Sequence, residues 1–229
     1  MSTNINYQLY IFDFDKTIIN CDCTHTGYYN IEGFAELVQM DDTRFLSTFF
    51  PNKDLFFNIV NSINNMDKNI AIASFGNKLG IFTILDRYWK IMCNQSILTI
   101  FNNNTLLGIQ DLDGEIKPNI RKNTMIQQLM DYYQIQDKKK VLFIDDNISN
   151  ITIAKQENYN SLWINNENKN ILGIKDTDLI SLGLVINQKP EMSNNEVCWF
   201  CTYHPGKHRT GLGYLCELCK TKMNVFQMY

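Results

Sequence analysis

Short apolar runs alternate along this sequence with segments of helical spacing. Four such runs occupy residues 7–13, 69–74, 96–101 and 140–145, and a fifth, less apolar run occupies residues 161–165. Runs of this length without polar alternation are typical of parallel strands that are buried on both faces. The order strand, helix, strand, helix therefore predicts an α/β fold with a doubly wound, Rossmann-like parallel sheet of about five strands and flanking helices.

Three of the intervening segments place apolar residues on one helical face, within residues 55–63, 125–133 and 148–154. We interpret these faces as core packing against the sheet and assign them no chemistry. In a doubly wound sheet, the functional site lies at the carboxyl ends of the strands. The candidate site residues are therefore those that end three of the apolar runs, namely Asp13, Ser74 and Asp145.

The composition fits one domain of ordinary size with a short appendage. Of 229 residues, 45% are hydrophobic and 20% are charged, which is typical of a globular protein with a proper core. The net charge of −3 is not that of a general nucleic-acid binder. We expect no membrane partner, because no apolar stretch reaches the roughly 18 residues of a spanning helix and the N-terminal residues lack a signal pattern.

Acidic residues follow two of the predicted strands. Asp13 and Asp15 come directly after the first strand, and Asp145 and Asp146 end the fourth. Two carboxylates about 4 Å apart repel by roughly 4 kcal/mol at an effective dielectric of about 20, so such a cluster in a cleft requires a cation. Carboxylate oxygens favour a hard, partly hydrated ion, and the sequence therefore predicts Mg²⁺.

Four motifs, in this order, resemble those of the haloacid dehalogenase (HAD) superfamily. DFDKT at residues 13–17 is similar to the DxDxT signature of that family, and IAIASFGN with Ser74, RKNTMIQQL with Lys122 and FIDDN are similar to its other three motifs. Together the motifs cover roughly residues 7–160, and a set of four is far more specific than any single one. The resemblance implies a phosphatase, that is, a phosphoric monoester hydrolase.

The resemblance also implies a role for each residue. Asp13 would be the nucleophile that forms an aspartyl-phosphate, and Asp15 would protonate the leaving group and then activate water. Ser74 and Lys122 would bind the phosphoryl oxygens, although Lys117 is close enough in sequence to serve instead of Lys122. The implied magnesium ligands are Asp13, the backbone carbonyl of Asp15, Asp145 and, as a supporting or alternative ligand, Asp146.

The HAD superfamily varies in the cap that covers its active site. Only 56 residues lie between Thr17 and Ser74, and 47 lie between Ser74 and Lys122, which leaves no room for a full cap domain. We therefore expect the capless type, in which large substrates such as phosphoproteins or nucleic-acid ends are common. Residues 24–50 are the candidate partial lid. We expect its aromatic residues to pack on the domain more than to stack on a substrate; they are Tyr28, Tyr29, Phe34, Phe45, Phe49 and Phe50.

The C-terminal segment has a metal-binding cysteine pattern. Four of the seven cysteines form two CxxC pairs that are fourteen residues apart, and they are Cys198, Cys201, Cys216 and Cys219. This spacing suits a tetrahedral thiolate site for structural Zn²⁺ with a hairpin between the pairs, and it resembles a zinc ribbon or treble clef. Thiolate ligands indicate a reducing, intracellular setting, cytoplasmic or nuclear. We expect a phosphohydrolase domain at 1–189, and a linker with the zinc module at 190–229.

The sequence thus predicts a magnesium-dependent phosphomonoester hydrolase for a macromolecular or bulky phosphorylated substrate. One alternative is a catalytically idle HAD-fold protein that recognises nucleic acid or a protein partner through its zinc module, and another is a phosphatase of small metabolites. The predicted zinc module carries four basic residues that could contact phosphates or an acidic partner: Lys207, Arg209, Lys220 and Lys222. The intact acidic residues count against an idle protein.

Overall fold

The computed structural model describes residues 6–112, 121–167, 172–179, 181–184, 208–210 and 213–215. The chain divides into two compact units, Met1–Ile186 and Asn187–Tyr229. The four cysteines of the predicted zinc module lie outside the described residues, as does Lys117. Within the described residues, no helix is both long enough and apolar enough to cross a membrane.

The first unit alternates strands and helices. Its strands are β1 (Leu9–Phe12), β2 (Asn69–Ala73), β3 (Leu106–Leu107), β4 (Val141–Asp145) and β5 (Asn160–Trp163). Its helices are α1 (Cys23–Thr26), α2 (Ile31–Gln39), α3 (Asp42–Phe49), α4 (Lys53–Asn65), α5 (Lys78–Cys93), α6 (Arg121–Tyr132) and α7 (Ile148–Gln156). Short 3₁₀ turns occupy Ile97–Thr99, Ile109–Asp111, Lys138–Lys140 and Asp176–Asp178.

All five strands form one parallel sheet in the order β3-β2-β1-β4-β5. The central strand β1 has β2 on one side and β4 on the other, so that Leu9 pairs with both Asn69 and Val141. The chain first builds the sheet outward from β1 to β3 and then restarts at β4. The junction between β1 and β4 is therefore the topological switch point, where ligands bind in folds of this kind.

Helices cover both faces of the sheet. Along β1, Tyr10 and Phe12 belong to one apolar core, which includes residues of α4 and α5, whereas Leu9 and Ile11 belong to a second core with residues of α6 and α7. Alternate residues of a strand point to opposite faces, which explains why the whole run is apolar. The predicted doubly wound α/β architecture is confirmed.

The predicted strand at residues 96–101 is wrong. Ile97 and Phe101 are buried as the apolar pattern indicates, but Ile97–Thr99 forms a 3₁₀ turn. The carboxyl group of Asp86 holds this turn, because it accepts hydrogen bonds from the hydroxyl of Ser96 at 2.7 Å and from the backbone N–H of Ile97 at 3.0 Å. The edge strand is instead β3, which pairs with β2. Just before β3, the carbonyl of Thr105 accepts a hydrogen bond from the N–H of Ile72 in β2.

The predicted partial lid at residues 24–50 is largely helical and lies within the first unit. Three of its aromatic residues, Phe45, Phe49 and Phe50, are almost fully buried in the core on the α4 and α5 side. The ring of Phe50 stacks on that of Tyr88 in α5 at a centroid distance of 3.9 Å. As predicted, these rings pack on the domain. Tyr29 behaves differently and reaches the candidate site described below.

The second unit contains two short antiparallel strands among its described residues, β6 (His208–Thr210) and β7 (Gly213–Leu215). They lie in the interval between the two CxxC pairs, where a hairpin is predicted, and His208 pairs with Leu215. The zinc site itself stays a prediction.

Candidate active site

Three acidic side chains converge at the switch point of the sheet. Asp13 directly follows β1, Asp145 is the last residue of β4, and Asp146 comes next. The N–H of Asp13 donates to the carbonyl of Ile144 at 2.8 Å, which extends the β1–β4 ladder to the site. One carboxylate oxygen from each of the three aspartates lies within 4.8 Å of the others. The two sequence-distant motifs therefore form one cluster.

Lys122 lies among these acids. It projects from α6, is only 4% exposed, and its Nζ lies 2.6 Å from Oδ1 of Asp13 and 3.5 Å from Oδ2 of Asp145. The ammonium group also donates to the carbonyl of Ala73 at 2.7 Å, and it lies 4.6 Å from the ring centroid of Phe75. Burial by itself would lower the pKa of Lys122, but Asp13 and Asp145 outweigh burial, so that its pKa is raised and the side chain stays charged.

Asp145 is completely buried and is fixed from two sides. Its Oδ1 accepts the backbone N–H of Asn147 at 2.7 Å, and its Oδ2 accepts the side-chain amide of Asn150 at 3.0 Å. Asn147 also caps α7, because its side chain accepts the N–H of Ser149. Burial, together with the nearby Asp13, raises the pKa of Asp145 to about 7 and that of Asp146 to about 6. The negative charge of both groups is thus disfavoured unless a cation is present.

Asp15 is held by two donors on the same oxygen. Its Oδ1 accepts the backbone N–H of Cys23 at 3.2 Å and the hydroxyl of Tyr29 at 3.1 Å. Burial is the main cause that raises the pKa of Asp15 to about 6; the N–H of Cys23 acts in the opposite direction, and Asp13 adds to the increase. A carboxyl group with a pKa near neutrality can both release and accept a proton under ordinary conditions.

Ser74 follows β2 at the same edge of the sheet and is 1% exposed. Its backbone N–H donates to the carbonyl of Leu107 at 3.0 Å, and its Oγ accepts the N–H of Gly76 at 3.2 Å. Because Oγ acts as the acceptor in that hydrogen bond, its own hydrogen remains for another acceptor. The short turn after β2 therefore presents a hydroxyl donor beside Lys122.

A cavity of about 250 Å³ joins these groups. It is lined by Asp13, Asp15, Lys16, Asp22, Ser74, Phe75, Gly76, Lys122, Asp145, Asp146, Asn147 and Asn150. Five of these residues are acidic and two are basic, and the lysine at the rim, Lys16, pairs with Asp22 at 2.7 Å. A phosphate dianion would be repelled by this excess of negative charge unless a cation entered with it.

The donor set fits a divalent magnesium ion. Asp13, Asp145 and Asp146 supply hard oxygen ligands from one small region, which is what Mg²⁺ prefers, and water completes its coordination in most protein sites. Lys122 contacts one oxygen of Asp13 and one of Asp145, so it does not use the full acceptor capacity of either group. The raised pKa values of Asp145 and Asp146 are a second indication, because burial and the nearby Asp13 both disfavour their negative charge and a cation would offset both effects.

The cavity is lined by all six residues that the sequence analysis places at the catalytic site: Asp13, Asp15, Ser74, Lys122, Asp145 and Asp146. Sequence reasoning missed Asn150, which binds Asp145, and Tyr29, which binds Asp15. The spacing of Asn150, in the first turn of the helix that follows β4, could have suggested a contact with Asp145. Tyr29 has no comparable local signal, because its contact with Asp15 arises from the fold of the segment between them.

The increase in melting temperature that Mg²⁺ causes should depend on pH. The raised pKa values mean that Asp15, Asp145 and Asp146 bind protons more tightly in the folded than in the unfolded chain. Without divalent ions, we therefore expect the melting temperature to fall as pH rises from about 4 towards about 7 and beyond. Mg²⁺ replaces those protons, so it should raise the melting temperature more at about pH 8 than at about pH 5.

Thermal unfolding in magnesium-free and magnesium-containing buffers at both pH values measures this effect. In Asp145→Asn, which removes the largest of the three shifts, the dependence on pH should be weaker. An equal increase at both pH values, or none, would contradict a carboxylate site for Mg²⁺.

No protein-family model matches the chain, and no curated protein is significantly similar to it. Two solved structures with which it aligns are described as HAD-family proteins. An enzyme from Bacteroides thetaiotaomicron, solved as a magnesium complex, is 14% identical with a TM-score of 0.46, and the match covers 76% of this chain and 98% of that chain. A hydrolase from Ehrlichia chaffeensis is 20% identical with a TM-score of 0.45, and the match covers 78% and 96%. At this level of similarity, function has to be inferred from the site itself.

Proposed function

We propose that this protein is a HAD-type, magnesium-dependent phosphomonoester hydrolase that works through an aspartyl-phosphate on Asp13. The observation that carries the proposal is the convergence of Asp13, Asp145 and Asp146 within 4.8 Å, with the ammonium of Lys122 at 2.6 Å from Asp13. A nucleophile, the ligands of its cation and the groups that bind phosphate must all reach one phosphoryl group, so they have to line the same cavity. Carboxylates with a purely structural role have no such requirement.

Asp13, Asp145 and Asp146, with the backbone carbonyl of Asp15, would hold the magnesium ion. The ion would neutralise the excess negative charge of the cavity and polarise the phosphoryl group. Lys122 would place a second positive charge beside the same group, because it is already fixed by Asp13 and the carbonyl of Ala73. Electrostatic stabilisation of this kind is usually the largest contribution to phosphoryl transfer.

The reaction would proceed in two steps. In the first, a carboxylate oxygen of Asp13 attacks phosphorus while Asp15 donates its proton to the departing oxygen of the substrate. In the second, Asp15 takes a proton from water while the water oxygen attacks the phosphorus of the aspartyl-phosphate; the bond between phosphorus and the Asp13 oxygen breaks, which releases inorganic phosphate and regenerates the Asp13 carboxylate. Ser74 would donate its remaining hydrogen to a phosphoryl oxygen, since its Oγ accepts the N–H of Gly76.

The substrate is proposed to be macromolecular or bulky. Two features support this proposal: residues 24–50 belong to the same compact unit as the sheet, and Phe45, Phe49 and Phe50 are buried in its core. These rings are therefore not presented to a small substrate as the walls of a closing cap. The predicted zinc module at 190–229 would recruit the phosphorylated partner, a protein or a nucleic-acid end.

The proposal is tested by phosphatase assays on a panel of substrates with and without magnesium. An aryl phosphate should be hydrolysed with Mg²⁺ and not after its removal. Phosphopeptides and oligonucleotides with terminal phosphates should be hydrolysed with higher kcat/KM than sugar phosphates of similar leaving-group chemistry. Hydrolysis that does not depend on magnesium would contradict the mechanism, and a preference for sugar phosphates would contradict the substrate class alone.

A further inference from the structure

Tyr29 connects the segment between β1 and α2 to the centre of the site. Its hydroxyl donates to Oδ1 of Asp15 at 3.1 Å. The backbone N–H of Cys23 donates to the same oxygen at 3.2 Å. Two donors on Oδ1 restrain the rotation of the carboxyl group and so orient Oδ2, the oxygen that would exchange a proton in the proposed mechanism.

The ring of Tyr29 is held by two glycines that follow β2. A Cβ atom at Gly76 would lie 2.7 Å from ring atoms Cε2 and Cζ of Tyr29, and one at Gly80 would lie 2.5 Å from its Cδ1. These distances are far below van der Waals contact, so the absence of side chains at both positions makes room for the ring. Gly76 is also the residue whose N–H binds Oγ of Ser74. Tyr29 thus contacts both the turn that carries Ser74 and the carboxyl group of Asp15.

We infer that Tyr29 is a positioning residue for the proton transfers of Asp15. The inference depends on the function proposed above, in which Asp15 acts as acid and then as base. A hydrogen bond from a fixed phenol is suited to this role, because proton transfer requires the carboxyl oxygen within hydrogen-bond reach of the leaving group and then of water. Small errors in such placement cost large factors in rate.

Tyr29→Phe tests the inference, since it keeps the ring in its glycine-lined site and removes only the hydroxyl. We expect kcat to fall by about tenfold to a hundredfold with KM nearly unchanged. The loss should be larger for an alkyl phosphate than for a nitrophenyl phosphate, because a poor leaving group depends more on its acid. Tyr28→Phe is the matched control: Tyr28 packs edge-on against Phe49 at 5.0 Å, and its variant should behave like the wild type.

Gly80→Ala provides a second, independent variant. Gly80 lies in the first turn of α5, and an added methyl group there would displace the ring of Tyr29 while its hydroxyl remains. We expect the same dependence on the leaving group as in Tyr29→Phe, with thermal unfolding to confirm that each variant is folded.

The outcomes separate this inference from the proposed function. Wild-type kinetics in Tyr29→Phe, or an equal loss with every leaving group, would overturn the role of Tyr29 and leave the function intact. A wild-type protein without any hydrolysis that depends on Asp13 would overturn both.

Discussion

Replacing Asp13 by asparagine is expected to reduce phosphatase activity by at least about 10⁴-fold, to the level of the blank. Asparagine has nearly the same shape, but its amide is a poor nucleophile and a poor magnesium ligand. Lys122 would retain Asp145 at 3.5 Å and the carbonyl of Ala73 at 2.7 Å as partners, so the site should stay folded. The initial rate of nitrophenyl phosphate hydrolysis in excess Mg²⁺ measures the loss.

Asp131→Asn is the matched control for this experiment. Asp131 is an exposed aspartate of α6 that accepts a hydrogen bond from Gln127 and lies outside the cavity. Its replacement makes the same chemical change and should leave the rate within about twofold, as surface substitutions generally do. If Asp13→Asn were as active as this control, Asp13 would have no part in the mechanism. That result would favour the alternative hypothesis of a catalytically idle binding protein.

Asp15→Asn is expected to separate the two steps of the reaction. The carbonyl oxygen of an asparagine can still accept the N–H of Cys23 and the hydroxyl of Tyr29, so the substitution preserves the contacts and removes the transferable proton. A nitrophenyl leaving group departs without an acid, but hydrolysis of the aspartyl-phosphate needs a base. We therefore expect a burst of about one nitrophenol per protein, followed by turnover slower than that of the wild type by about 10²- to 10⁴-fold.

Rapid mixing followed by intact-mass measurement tests this prediction. The variant should carry one phosphoryl group after the burst, and the double variant with Asp13→Asn should carry none. With an alkyl phosphate, no burst is expected, because the first step then also needs the acid. Steady turnover of Asp15→Asn at the wild-type rate would show that a group other than Asp15 transfers the protons.

Much of the fold could be predicted because burial on both faces of the sheet leaves a direct signature in the sequence. Residues 9–12, 70–73 and 141–144 are apolar without interruption, as is typical of parallel strands that are covered on both faces. The same reasoning failed at residues 96–101, since Ile97 and Phe101 are buried equally well by a turn that Asp86 holds in place. An apolar run reports burial, and it does not report backbone conformation.

The residues of the candidate site that belong to local sequence motifs could be predicted. Asp13 and Ser74 directly follow strands of one parallel sheet and Asp145 ends a third, so topology alone brings them to the same edge. The contact of Tyr29 with Asp15 depends on how the chain turns between β1 and α2 and on two glycines after β2. Such contacts arise from tertiary packing and leave no periodic signal. The cysteine motif predicts a zinc module from spacing, and that prediction still awaits a measurement of bound metal.

A crystal structure of the protein with magnesium and beryllium fluoride, a mimic of the phosphoryl group, would test the central claim most directly. We expect the beryllium to be bonded to a carboxylate oxygen of Asp13, with a cation bound by Asp13 and Asp145 and with Lys122 beside the fluorides. A cation-free cluster in which Lys122 remains paired with both acids, or a beryllofluoride bound to a different residue, would contradict the proposed mechanism.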